Sequence, residues 1–268
     1  MSRVDVRKTH KLFIGGAFPR SESGRTYEAT DSKEQFLANM ALASRKDARD
    51  AVLAARSAVA KWSSATAYNR GQVLYRIAEV MEGRREQFIS EVSDSEGVSS
   101  RKAGAHVDAA IDRWVWYAGW ADKYAQVIGN TNPVAGPFFN FSVPEPTGVV
   151  AAVAPQDASV LGLVSVVAPI IVTGNAVIVM PSSSRPIPAI THAECLATSD
   201  VPAGVVNILT GAPAEVMPWL AEHADVNALD LTGIVDEGVA ADLERSAAGT
   251  VKRVRGAAPH ADWHATPK

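Results

Sequence analysis

A doubly wound α/β fold is what this sequence predicts, and three features predict it. From Gly148 onward, short apolar runs alternate with helical patterns through four strand–helix units. The runs GVVAAVA, AVIVM, VVNIL and VNALDL are close to continuously apolar, the pattern of strands buried on both faces of a parallel sheet. Upstream, residues 44–130 carry apolar positions at helical spacing, enough for a layer of helices beside that sheet.

The elements follow in order. Residues 1–43 hold strand-like pieces, KLFIGGAFP and SESGRTYEAT, with Gly15-Gly16 and Ser23-Gly24 as turn signals, so a hairpin or edge ribbon is expected. Ser44 caps a first helix that places Ala48, Val52, Ala55 and Val59 on one face. A second helix runs from Asn69 to Gly83, a third from about Arg84 to Gly97, and a fourth from about Arg101 carries Val107, Ile111, Trp114 and Tyr117. Trp114, Trp116, Tyr117 and Trp120 read as helix packing, with a ring-stacking site as the alternative. Residues 131–147 form a Pro/Gly linker and a strand, FFNFSV. Residues 148–252 form the Rossmann-like core, and 253–268, RGAAPHADWHATPK at its end, a loose surface tail.

Bulk composition narrows the function classes. The chain has 268 residues, 47% apolar and 21% charged, with a net charge of -3. That balance gives no reason to expect nucleic acid or an anionic membrane as partner. The longest apolar run, Val160 to Val172, is too short to span a bilayer. MSRVDVRKTHK has no apolar stretch behind its basic residues, so no signal peptide is expected. The single Cys195 excludes an intrachain disulfide, and the expected location is the cytoplasm.

Ligands of a doubly wound sheet bind beyond the carboxyl ends of its strands. Those ends are Ala154-Pro155-Gln156-Asp157, Met180-Pro181-Ser182-Ser183, Thr210-Gly211 and Thr232-Gly233. Pro155, Met180, Ser182, Ser183, Gly211, Thr232 and Gly233 are therefore the candidate cofactor-binding residues. Gly211 and Gly233 serve either phosphate approach or a tight strand–helix turn, and no G-x-G-x-x-G is present. Between Ala176 and Ala193 no acid stands ready for ribose hydroxyls. Ser182, Ser183 and Ser184 have hydroxyls for a ribose, and Arg185 has the charge for the 2′-phosphate of NADP; the alternative is a polar loop that caps the next helix. Asp157, the one acid then expected in the cleft, reads as a helix cap. Cys195 sits mid-helix as a structural thiol, and His260, His264 and Asp262 are weak metal-ligand candidates.

At this point the words and their order converge on a resemblance. KLFIGGAF, ALASRKDARDAVLAARSAVAKW, RGQVLYRIAEVMEGRREQF, YAGWADKYAQVIG, PEPTGVVAAVAP, GNAVIVMPSS, VPAGVVNILTG and ALDLTG resemble, in register, the N-terminal cofactor-binding half of the aldehyde dehydrogenase superfamily, from about Lys11 to Lys252. The resemblance implies an NAD or NADP site, and it also marks departures. Where the family has Pro-Trp-Asn-Phe-Pro, this chain has Pro155-Gln156-Asp157-Ala158-Ser159, so an oxyanion-holding Asn becomes Asp157. The family's ribose-contacting Lys and Glu fall on Met180 and Ser183, and Thr-Gly-Ser becomes Thr232-Gly233-Ile234. The word Glu-Leu-Gly-Gly with the general base should follow near Val251, where the chain reads KRVRGAAPHADW and then ends before a nucleophilic Cys.

The resemblance therefore implies a pseudoenzyme: no catalytic residues, weakened or lost NAD(P) binding, no catalytic domain. It would act as a non-catalytic subunit assembling with a full-length aldehyde dehydrogenase or as a homo-oligomer, paired through the ribbon piece FFNFSVPEP. The alternatives are an oxidoreductase component whose Cys and Glu come from a partner, and a stand-alone dinucleotide sensor.

Overall fold

The computed structural model describes residues 7–258 and 261–265. Three short strands come first: β1 (Thr9–His10), β2 (Thr26–Thr30) and β3 (Phe36–Ala41). β3 is central, parallel to β1 and antiparallel to β2. The helical layer follows as α1 (Arg45–Ser64), α2 (Ala67–Glu82), α3 (Arg85–Glu96), α4 (Ser100–Trp120) and the short α5 (Tyr124–Ile128). Ser44 caps α1 and forms a capping box with Asp47. Asp47 also accepts from Ser21 Oγ at 2.8 Å and from the Glu22 amide at 2.9 Å, which ties the turn before β2 to the start of the helix.

A two-stranded ribbon, β4 (Asn130–Thr131) with β5 (Phe141–Ser142), leads into the core. The expected strand FFNFSV is thus realised only at its Phe141-Ser142 step. Phe138 and Phe139 precede it and stand 75% and 79% exposed.

The core alternates β6 (Val149–Val153), α6 (Val160–Val172), β7 (Ala176–Met180), α7 (Ile187–Ala197), β8 (Val206–Ile208), α8 (Pro213–Glu222), β9 (Ala228–Asp230), α9 (Glu237–Ala248) and β10 (Arg253–Arg255). Its five strands run parallel in the order β10-β9-β6-β7-β8. The doubly wound sheet expected from the alternation is present. β6 pairs with its successor on one side and with β9 on the other, so the strand order reverses beside β6. A crevice beyond the ends of β6 and β9 is where such a sheet presents its ligand site.

The sheet divides the core into two faces. β7 shows the period of two directly: Val177 and Val179 join the cluster with α2, α3, α4, α6 and α7, while Ala176, Ile178 and Met180 join the one with α1, α8 and α9. Both sheet edges are guarded. Phe13 forms an antiparallel bridge to Ile208 and covers the β8 side. The outer strand β10 presents the exposed cations Arg253 and Arg255.

Two expectations need correction here. The segment from 253 onward is not all loose: Arg253–Arg255 extends the sheet, and Trp263 packs against the apolar core. Arg113 on α4 donates to the carbonyls of Trp263 at 2.7 Å and Ala265 at 2.8 Å, a tether that aperiodic sequence does not reveal. The four aromatic residues of α4 also divide. Trp114 is fully buried, whereas Trp116 is 37% exposed and lies 6.1 Å from Trp120, so packing accounts for the first and not for the second.

α6 is the most apolar helix, and its last carbonyls still need donors. The Trp62 indole donates to Ile171 O at 2.8 Å and Arg70 Nε to Val172 O at 3.0 Å. Arg70 is 6% exposed and also reaches Ala65 O at 2.5 Å. Arg70→Met is expected to lower unfolding free energy by about 2–4 kcal/mol, because buried carbonyls lose charged donors. Urea unfolding monitored by tryptophan fluorescence measures this, and an unchanged midpoint would show that the cap contributes little.

Candidate functional site

The crevice is built where β6 and β9 end side by side. Gly233 donates its amide to Val153 O at 2.9 Å, just past the end of β9. A Cβ on Gly233 would lie 2.0 Å from Ala154 O, so only glycine lets the two strand ends touch. Pro155 is buried and packs over Gly162, where a Cβ would stand 3.0 Å from Pro155 Cβ. Thr232 is fully buried, and its hydroxyl has no partner among the described residues.

Asp230, the last residue of β9, is a second acid at this edge of the sheet, besides the Asp157 to which the sequence points. It is 4% exposed, accepts from the Thr232 amide at 3.0 Å, and faces Arg255 Nη1 at 3.3 Å. The carboxylate thus holds the turn into Thr232 and joins β9 to β10. Its signal in the sequence was the interruption of an apolar run, ALDL, by a charge.

The loop after β7 lies beside the loop after β6, and the side chain of Gln156 bridges the two. Gln156 Nε2 donates to Ala154 O at 2.7 Å, while its Oε1 accepts from the Ser183 amide at 3.0 Å and from Ser183 Oγ at 3.2 Å. Ser182 is 1% exposed and donates to Gln156 O at 2.8 Å. Arg185 reaches across to Asp157 O. Ser182 and Ser183 are therefore bonded within the protein, and the serines do not cap α7, whose N-cap is Pro186 without a side-chain bond.

The remaining candidates lie elsewhere. Met180 is fully buried with its side chain in the apolar cluster behind the sheet. Gly211 follows β8, two strands from β6, at φ +132 with Leu42 Cδ1 2.8 Å from where its Cβ would be. The structure thus gathers Pro155, Thr232, Gly233, Ser182 and Ser183 around the end of β6, turns the Met180 side chain away from them and leaves Gly211 two strands off. Asp157 is exposed and does not cap α6. Glu96 instead anchors the N-cap residue of α6, accepting from the Ser159 amide at 2.8 Å and Ser159 Oγ at 2.7 Å, with His106 Nδ1 2.9 Å from its other oxygen. Cys195 is fully buried on α7, and burial pushes its thiol up to about 11, which leaves it protonated and unreactive. Of the tail ligands considered, His260 lies outside the described residues, and no group of three metal-ligating side chains occurs among those described.

This geometry matches a known family. The sequence profile of the Aldehyde dehydrogenase family matches residues 18–256. The chain belongs to the aldehyde dehydrogenase family. It is 32% identical over 246 residues to the cytosolic 10-formyltetrahydrofolate dehydrogenase of Pongo abelii, covering 89% of this chain and 27% of that protein. It is 31% identical over 261 residues to aldehyde dehydrogenase, cytosolic 1, of Elephantulus edwardii, covering 95% of this chain and 51% of the relative. Among solved structures, an NAD+ complex of aldehyde dehydrogenase from Bacillus cereus superposes with a TM-score of 0.86 at 27% identity, over 92% of this chain and 50% of that one. Betaine aldehyde dehydrogenase from Staphylococcus aureus in complex with NAD+ gives 0.85 at 26% identity, over 91% and 48%. The chain spans about half the length of these aldehyde dehydrogenases and about a quarter of the formyltetrahydrofolate enzyme. Among the described residues no helix is long and apolar enough to cross a membrane.

Proposed function

We propose that this chain is a non-catalytic member of the aldehyde dehydrogenase family, a structural or regulatory subunit that assembles with a full-length relative. The observation that carries the proposal is the Gln156 bridge. A dinucleotide site needs side chains free to turn toward the ribose, and Ser183, at the family's Glu position, has its amide and hydroxyl both held by Gln156. Met180, at the family's Lys position, faces the apolar core instead. The residues in this chain do not fit a bound dinucleotide.

The same reading accounts for chemistry at the family's catalytic positions. Asp157 would repel a developing oxyanion, where an Asn would donate to it. The stretch Lys252–Ala258, where the general base is expected, contains no carboxylate. Assembly is supported by the ribbon, on which Phe138, Phe139, Phe141 and Val143 are 57–79% exposed. Such a run of large apolar side chains favours burial against another chain.

Tagged purification from the native host, followed by native mass spectrometry, tests the proposal. A fixed-ratio complex with a full-length aldehyde dehydrogenase is expected. A lone chain that retains dinucleotide would overturn it in favour of a sensor. Titration calorimetry with NAD+ and NADP+ at millimolar concentration is expected to give no saturable heat, and tight binding of either would overturn the reading that Gln156 ties up Ser183.

A further inference from the structure

A second concave site lies at the end of the small sheet where β1 and β3 finish and β2 begins. It is a cavity of about 320 Å³, near the lower end of the roughly 300–1,000 Å³ usual for small-molecule sites. Its lining comes from Thr9, His10 and Lys11 on one side, Arg20 and Ser21 on the other, and Arg25 and Thr26 at the entry to β2. No carboxylate is among the lining residues. Lys11 and Arg20 have no ion-pair partner among the described residues, and Arg25 has only Glu215 at 3.5 Å, both side chains about half exposed.

The nearby acids are already engaged. Glu22 pairs with Lys46 at 2.5 Å. Asp47, beneath Ser21, accepts from Ser21 Oγ, the Glu22 amide and the Ser44 amide. Three cations therefore line one concavity, with the threonines Thr9 and Thr26 beside them. Like charges held together repel unless an anion sits among them. Arginine forks and a lysine ammonium match the oxygens of a phosphate group in both geometry and charge.

We propose that this cavity is an anion site that binds a small phosphate-bearing molecule through Lys11, Arg20 and Arg25, with Thr9 and Thr26 hydroxyls as additional donors. His10, 5% exposed, contributes a neutral ring, since burial and then the charge of Lys8 push its pKa down to about 4. The proposal does not rest on the reading of the crevice.

Pyrophosphate is the probe, titrated at low ionic strength into isotopically labelled full-length chain and followed by amide shifts. Saturable single-site binding is expected, with shifts concentrated at residues 9–11 and 20–26. The double variant Lys11→Gln/Arg20→Gln removes two exposed charges and should weaken binding about a hundredfold, each charge-assisted contact carrying roughly tenfold. Arg49→Gln/Lys61→Gln removes two cations on α1 outside the cavity and should leave affinity unchanged. Equal weakening by both double variants would reduce the effect to general surface charge and overturn the site. Shifts confined to residues 182–185, or no saturation, would also overturn it.

Discussion

Gly233→Ala is expected to lower the unfolding free energy by about 3 kcal/mol or more, the range of steric overpacking with backbone displacement. The new Cβ would lie 2.0 Å from Ala154 O, 2.4 Å from Ala154 C and 2.8 Å from Val153 O. All three are backbone atoms, so no rotamer change relieves the overlap. Relief requires the ends of β6 and β9 to separate, which breaks the bond from Gly233 N to Val153 O. Gly211→Ala makes a useful contrast. Its clash is with the end of a flexible side chain, Leu42 Cδ1, but φ +132 remains strained for alanine, at about 1–3 kcal/mol. Chemical denaturation of both variants and the wild type measures the difference. If Gly233 serves only ligand approach, Gly233→Ala will unfold with the wild-type midpoint, and the strand-contact account fails.

The sequence disclosed the core because buried parallel strands leave a local signature. GVVAAVA and AVIVM are continuous apolar runs, and they became β6 and β7 with every strand residue buried. Caps were equally local: Ser44 needs only Asp47 three residues on to be recognised. What stayed hidden depends on partners distant in sequence. Asp157 seemed the cap of α6 because it lies close by, yet Glu96 on α3 reaches Ser159 from 63 residues away. Gln156 was visible as a departure from the family word, but its bond to Ser183 needed the loop after β7 to fold over β6. Arg253–Arg255 escaped notice because three alternating residues with two arginines lack an apolar strand pattern. An outer strand needs only one covered side.

Acidification is expected to destabilise the protein from about pH 6.5 downward, with the buried His192 and His10 the causes. The ring is fully buried on α7, stacked on Trp114 with centroids 5.6 Å apart. An indole N–H only donates, so the 3.2 Å contact from Trp114 Nε1 makes His192 Nε2 the acceptor and places the ring proton on Nδ1, which has no partner among the described residues. Burial pushes the His192 pKa down to about 3, and burial together with Lys8 pushes His10 down to about 4. Below an ordinary histidine pKa of about 6.5, the unfolded chain takes up protons that the folded chain does not, so stability falls as pH is lowered. The slope is about 1.4 kcal/mol per pH unit for one such group, and the loss is complete only once pH passes the folded value. Glu91, raised by burial, works in the opposite direction at the acid end, because its folded form binds a proton more readily than the unfolded chain. The comparison that isolates His192 is therefore a single substitution in an otherwise constant background. His192→Gln keeps an acceptor for the Trp114 indole and removes the titration. Urea unfolding at pH 7.5 and pH 5 should show the wild type losing about 2 kcal/mol from His192, as 1.5 units below the free value imply, and the variant losing correspondingly less. Equal losses in both proteins would mean that the folded state admits the proton, and that the buried neutral ring is not what limits stability in acid.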